Sequence, residues 1–259
     1  MNQPRYALVT GASSGIGECF ARALGARKWN LVLVARTEEK LSALANELGS
    51  AYGIQAAPLA VDLSAPGATG RLVATLRERQ LEIGLLVNNA GFGARGRFDK
   101  LSLDRQSEML RLTVHTLMEL TYALLPPMVE KKKGALINVS STASFQPVPF
   151  TAVYAASKAF VTTFSMSLAE ELRPYGIIVV TLCPGGTQTN FFAASHYGTR
   201  KLPGGLQDPG QVVAKALKAL DRGGGLVVPR LLNKFFLEIQ RVLPRSWVPG
   251  FSAKIFREE

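Results

Sequence analysis

Tyr154 and Lys158 stand four residues apart in the run Tyr154-Ala155-Ala156-Ser157-Lys158. On a helix, positions i and i+4 share a face, so the ammonium group comes close to the phenol. A nearby positive charge favours the phenolate and draws its pKa from ~10 toward working pH, where a general acid or base is most effective. By itself the pattern is weak, because most such pairs lie on surface helices. Ser141 precedes Tyr154 by thirteen residues, just after the apolar run Ala135 to Val139, and offers a hydroxyl to a substrate oxygen. The chemistry these three side chains can share is proton transfer at an oxygen atom.

A second group of residues fits an anion. The segment Thr10-Gly11-Ala12-Ser13-Ser14-Gly15-Ile16-Gly17 joins an apolar run to a helical pattern. Gly11, Gly15 and Gly17 permit a tight turn and a close approach of backbone to a pyrophosphate. Ser13, Ser14 and Ile16 lie within that turn, and the helix that follows presents free N–H groups to the anion. The spacing is GxxxGxG rather than GxGxxG. The next apolar run ends Val34-Ala35-Arg36. An acidic residue there would hold a ribose 2′-hydroxyl, whereas an Arg accommodates a 2′-phosphate, so Arg36 predicts NADP (NADPH) over NAD. A solvated arginine at a strand end is the bland alternative.

Positioning these groups requires a scaffold, and the sequence has the rhythm of one. Apolar runs Tyr6–Thr10, Leu31–Ala35, Gln55–Val61, Ile83–Val87, Ala135–Val139 and Ile177–Leu182 alternate with helical patterns at 15–28, 38–48, 68–79, 103–129 and 152–174. The stretch 103–129 reads as one helix or two. Continuous apolar strands belong to a parallel sheet covered on both faces. The expected fold class is α/β: a Rossmann-type doubly wound parallel sheet, a single three-layer α/β/α domain over residues 1–229. After Pro184 the rhythm gives way to a long loop, with a lid expected at about 186–210. A helix at 211–221 and a strand at 226–228 follow.

With 259 residues, 47% of them hydrophobic and 19% charged, the chain can bury a large core, and disorder or a disulfide-stapled miniature fold is excluded. Two cysteines, Cys19 and Cys183, make no disulfide framework, so a reducing, cytoplasmic setting is expected. The opening Met1-Asn2-Gln3-Pro4-Arg5 runs straight into a strand, leaving no room for a signal peptide. The formal net charge of +11 favours an anionic partner. No nucleic-acid-binding motif accompanies it, so nucleic acid is not expected.

Five motifs in order and spacing, TGASSGIG, Asn88-Asn89-Ala90-Gly91, Ser141, Tyr154-x-x-x-Lys158 and Pro184-Gly185-Gly186-Thr187-Gln188-Thr189, resemble the short-chain dehydrogenase/reductase family over residues 5 to about 230. The resemblance implies an NADP(H)-dependent oxidoreductase acting on a carbonyl or alcohol carbon. It makes Tyr154 the acid or base, Lys158 its tuner and a ligand of the nicotinamide ribose, and Ser141 a donor to the substrate carbonyl. Asp62 and Leu63 would flank the adenine. Asn88, Ala90 and Gly91 would line the cofactor groove, with Pro184, Gly185, Thr187 and Thr189 against the nicotinamide. A homodimer or homotetramer is implied as well. One position departs from the family: its catalytic Asn, twenty-five residues past the first Asn of NNAG, is here Thr113. A hydroxyl lacks the two donors of an amide. That keeps a second reading open, a dinucleotide-binding regulator or scaffold with weakened catalysis.

Phe191 and Phe192 point to an apolar substrate pocket, or else anchor the lid to the core. An aliphatic, aromatic, acyl or steroid- or terpenoid-like carbonyl compound suits such a pocket better than a sugar. His115 is expected to be a packing or surface residue and His196 a lid residue, with no metal site. Cys183 reads as a small buried hydrophobe. Residues 222–257 carry seven basic side chains and one acid, Glu238, among Phe235, Phe236, Trp247 and Phe251. This basic amphipathic tail, 230–259, either rests on a membrane surface or packs over the pocket or a neighbouring subunit.

Overall fold

Runs of Val, Leu and Ile with no polar interruption form the centre of the fold, because such strands hide both faces from water. The structure, a computed structural model, describes residues 5–189, 205–242, 244 and 246–256. Its strands are β1 (Tyr6–Thr10), β2 (Asn30–Ala35), β3 (Ala56–Ala60), β4 (Ile83–Asn88), β5 (Gly134–Val139), β6 (Ile177–Leu182) and β7 (Gly225–Val227). They make one parallel sheet in the order β3-β2-β1-β4-β5-β6-β7. Pro58 cannot donate a ladder hydrogen bond, and it sits in β3, at the sheet edge.

Side chains alternate across the sheet into two cores. On one side Val9, Leu33 and Val87 meet Phe20 and Leu24 of α1 (Gly15–Ala26), Leu41 of α2 (Glu38–Tyr52) and Val212 of a later helix, Pro209–Asp221. On the other, Leu8, Val32 and Leu86 meet Leu72 of α3 (Ala68–Glu78), Leu120 of a helix at Thr116–Glu130 and Leu172 of one at Ala152–Leu172. The expected three-layer α/β/α arrangement is therefore present.

The stretch 103–129 is two helices, α4 (Leu103–Leu110) and α5 (Thr116–Glu130), separated by a π-helical turn at Arg111–His115. Helix α6 is Ala152–Leu172, and α7 is Pro209–Asp221, capped by the Asp208 side chain, which accepts from the Gln211 N–H at 2.8 Å. The loop after β6 is pinned at its base, where Gln188 N–H donates to Gln207 O and Gln207 N–H to Gly186 O, both at 2.8 Å. The expectations for Phe191, Phe192 and His196 lie outside the described residues. The tail forms α8 (Leu231–Val242) and α9 (Val248–Phe256), docked through buried Leu237 and Val248. Among the described residues no helix is long and apolar enough to cross a membrane.

Candidate active site

The strand order reverses between β1 and β4, and a crevice opens at their carboxyl ends. Thr10 closes its floor. Its hydroxyl donates to Val87 O at 3.2 Å and accepts from the N–H groups of Asn89 (2.9 Å) and Ala90 (3.0 Å). The Asn89 amide donates in return to Thr10 O at 2.9 Å and Gly11 O at 3.4 Å. The glycine turn and the Asn-Asn-Ala-Gly segment are thereby stitched together. Gly11 holds φ +67°, where a side chain is strained. A Cβ on Gly17 would lie 2.1 Å from Gly11 O, so α1 touches the turn backbone to backbone. The Ser14 side chain does not cap α1, which leaves the first-turn N–H groups for an anion.

Along the same edge, α6 brings Tyr154 and Lys158 under Ser141. Lys158 is 5% exposed, and its Nζ donates to Val139 O at 2.8 Å and lies 5.9 Å from the centre of the Tyr154 ring. The Ser141 hydroxyl accepts from the Ala143 N–H at 3.1 Å and hydrogen-bonds to the Tyr154 phenol. Burial dominates the titration of both groups. It pushes Tyr154 up to about 12, against the opposing hydrogen bond from Ser141, and pulls Lys158 down to about 8. The sequence-based expectation that Lys158 draws the phenol toward neutral pH is not met: burial raises it, and the group that opposes burial is the Ser141 hydroxyl. At neutral pH Tyr154 thus holds its proton and is poised as an acid.

A pH dependence follows. Lys158 in the folded chain titrates near 8, below its ordinary 10.5, so the unfolded chain binds more protons between those values. This group's contribution to stability therefore rises with pH from about 8 to 10.5. Proton transfer from Tyr154 to a bound oxygen is expected to weaken above about pH 8 as the ammonium charge is lost, well before the phenol ionises. The measurement is kcat/KM against pH. A flat profile from neutrality to pH 10 would place the required charge elsewhere.

The crevice is a cavity of about 700 Å³. Its lining includes Gly11, Ser13, Ser14, Gly15, Ile16 and Arg36, with Asp62, Leu63, Ala90 and Gly91. Ser141, Tyr154, Lys158, Pro184, Gly185, Thr187 and Thr189 line the same cavity. A hydrogen bond from the Ser64 hydroxyl, at 2.6 Å, holds the Asp62 carboxyl below the usual carboxylate range. Gly17, Asn88 and Thr113 are expected site residues that do not line the cavity. Gly17 lies beneath the turn. Asn88 is turned into the core, where its amide donates to Asn138 Oδ1 at 2.9 Å and Thr121 Oγ1 at 3.3 Å. This corrects the assignment of the Asn88 side chain to the groove: the strand pleat sends it to the α5 side, and Asn89 is the residue that faces the cavity.

Thr113 lies in the π-helical turn, a feature common at functional sites, and is 2% exposed. Its buried hydroxyl has no hydrogen-bond partner among the described residues. Both Thr113 Oγ1 and Lys158 Nζ are 3.6 Å from the point a Cβ on Gly91 would occupy, so both groups reach the Gly91 backbone. His115 is exposed, and no cluster that could hold a metal ion exists among the described residues. Cys183 is fully buried, and burial pushes its thiol up, away from reactivity.

Sequence reasoning missed Gln146, which lines the cavity with a buried Oε1 that has no partner among the described residues, and the roof made by Asn233, Phe236 and Ile239 of α8. The amphipathic spacing of α8 was visible in the sequence, but which side of it meets the cavity was not.

The cavity suits a nicotinamide dinucleotide. Gly15, at φ +58°, has no room for a Cβ, which would lie 2.9 Å from the Thr189 side chain, so the glycine turn and the Pro184–Thr189 segment close on one slot. Comparison with known proteins agrees. The short chain dehydrogenase family model matches residues 5–198. Very-long-chain 3-oxoacyl-CoA reductase of Rattus norvegicus is 32% identical over 252 residues, 94% of this chain and 76% of that protein. Inactive hydroxysteroid dehydrogenase-like protein 1 of Homo sapiens is 33% identical over 198 residues, 74% of this chain, and the match covers 59% of that protein. The chain spans about three fifths of the length of such relatives. A short-chain dehydrogenase from Sphingobium yanoikuyae, solved in complex with NADPH, superposes with a TM-score of 0.83 at 31% identity, over 93% of this chain and 96% of its own. A family match across the whole catalytic edge of the sheet agrees with what the crevice was built to hold: the chain belongs to the short-chain dehydrogenase family.

Proposed function

We propose that the protein is an NADP(H)-dependent oxidoreductase that reduces the carbonyl, or oxidises the alcohol, of a largely apolar substrate. The observation that carries this reading is the hydrogen bond between Ser141 and a protonated, buried Tyr154 beside Lys158, inside one cavity with the glycine turn. A bound dinucleotide supplies the hydride from its nicotinamide. The chain's own residues hold the substrate oxygen and give it a proton. Ser141 donates to that oxygen, Tyr154 delivers its proton, and the Lys158 ammonium steadies the phenolate left behind. The backbone N–H groups at the start of α1 would receive the pyrophosphate, and Asp62 and Leu63 would flank the adenine.

Arg36 supports a 2′-phosphate: it is exposed at the end of β2 and lines the same cavity as Ser13 and Ser14. A charge-assisted bond of this kind contributes about 1.5–3 kcal/mol. Arg36→Glu is therefore expected to lower the NADPH-over-NADH preference in kcat/KM by roughly 10- to 100-fold. An unchanged ratio would move the phosphate contact to another side chain. The substrate class follows from the roof of Phe236, Leu237 and Ile239, which favours an acyl chain, a bulky ketone or aldehyde, or a steroid- or terpenoid-like carbonyl. Relatives named very-long-chain 3-oxoacyl-CoA reductase support the acyl member of that set.

The second reading, a dinucleotide-binding regulator, is favoured by Thr113 and by a relative named as inactive. Oxidation of NADPH over a panel of apolar carbonyls separates the two. A homo-oligomer joined along the sheet flank is part of the leading proposal, supported by Tyr122 of α5 at 82% exposure and by exposed Met118 and Met166.

A further inference from the structure

Helix α8 carries its apolar residues in rows, Leu231, Phe235 and Ile239 at four-residue spacing beside Leu232 and Phe236. An arc of that kind normally faces a core. Here it is turned outward. Leu231 is 82% exposed and Phe235 61%, while Leu237 on the opposite side is buried against the body. Trp247, ahead of α9, is 59% exposed. The most amphipathic helix among the described residues therefore shows its apolar side to the surroundings, and a contiguous exposed apolar face marks an interaction site.

The charges beside it say what covers it. Lys234 of α8 lines a second groove with Lys215 and Lys218 of α7 and with Arg222, which follows that helix. None of these four cations has an ion-pair partner among the described residues, although Glu238 lines the same groove. A second copy of the chain would bring a like-charged rim, which opposes pairing through this face. An anionic bilayer complements it: the Leu and Phe arc enters the boundary between headgroups and acyl chains, Trp247 sits at headgroup level, and the lysines meet lipid phosphates and carboxylates.

We infer that α8 docks flat on an anionic membrane surface. The inner edge of the same arc, Phe236 and Ile239, lines the active-site cavity, so docking sets the cavity mouth against the bilayer. The docking stands on surface chemistry alone, and only the delivery of an apolar substrate through that mouth rests on the reductase reading.

The test is sedimentation of the purified full chain with vesicles of phosphatidylcholine alone and of phosphatidylcholine with about one third phosphatidylserine. The wild type is expected to prefer the anionic vesicles by at least about tenfold. Leu231→Glu with Phe235→Glu, both outside the active-site lining, should abolish binding to either vesicle while leaving NADPH affinity unchanged. Lys218→Glu with Lys234→Glu should weaken only the anionic binding, by roughly fivefold per lysine, and salt should mimic that loss. The wild-type preference and the lysine variants decide the matter even if the glutamate pair misfolds. Equal binding to both vesicles, or no binding, overturns the inference. So does a Phe235→Glu variant that converts an oligomer to monomer by light scattering without altering vesicle binding. Because vesicle binding is read without turnover, failure of the reductase reading would leave this result untouched.

Discussion

Tyr154→Phe is expected to cut NADPH-dependent carbonyl turnover by roughly 10²- to 10⁴-fold, the range for removing a general acid, while dinucleotide binding survives. The separation follows from where the hydroxyl sits. The ring is buried and stays in place as Phe, and Lys158 keeps its own anchor on Val139 O. What disappears is the proton that burial holds on the phenol up to about pH 12, together with the acceptor for the Ser141 hydroxyl. The loss of that one hydrogen bond costs about 1 kcal/mol of stability, too little to unfold the domain. Turnover over a carbonyl panel and NADPH titration by fluorescence, on both proteins, provide the check. A variant that keeps its rate would remove Tyr154 from the proton path. A wild type that binds NADPH yet reduces no carbonyl would favour the regulator instead.

The second large effect is structural. Gly17→Ala is expected to destabilise the fold by about 3 kcal/mol or more and to abolish tight dinucleotide binding. The added methyl would stand 2.1 Å from Gly11 O and 2.5 Å from the Asn89 amide nitrogen, and neither can yield cheaply. Gly11 O is backbone in a left-handed turn, and the Asn89 amide is committed to Thr10 O. Helix α1 must therefore lift from β1, which breaks the seam beneath the anion site. Gly70→Ala in α3 is the control: nothing lies within 4 Å of its added Cβ, so it should stabilise by about 0.5–1 kcal/mol. Urea unfolding of the three proteins ranks them. A Gly17→Ala protein as stable as the wild type would mean that α1 can shift without cost.

How far the sequence foretold this depends on which physical signal carried each feature. The strands were legible because Leu31-Val32-Leu33-Val34 and its counterparts have no polar face, and the structure pairs them in a parallel sheet. Tyr154, Lys158, Ser141 and the glycine turn were legible because their function depends on fixed spacing along one chain segment, and the cavity contains them. Asn88 and Asn89 were harder. Adjacent residues of one type differ only in the strand pleat, and parity with Leu86, whose side chain joins the α5 core, was the available clue. The π-helical turn at Arg111–His115 had no local signal, since it breaks a pattern that reads as continuous helix. The pKa of Tyr154 was misjudged because spacing reports the neighbouring charge and says nothing of burial. The outward arc of α8 was invisible for a related reason: amphipathicity fixes that a helix has two sides, and tertiary packing decides which one meets the protein.

The position of β1 in the sheet bears on how the chain comes to be folded. β1 pairs with β2, which ends at Ala35, and with β4, which begins at Ile83. During synthesis one edge of β1 therefore stays open for the time needed to add the intervening residues, roughly 2–10 seconds at typical elongation rates. An unpaired apolar strand edge is a template for association with other chains. The Thr10 hydroxyl, which later stitches the crevice floor, finds its partners Val87, Asn89 and Ala90 only when that wait ends. The assembly of the crevice and the closing of that open strand edge are thus one event in the life of the nascent chain.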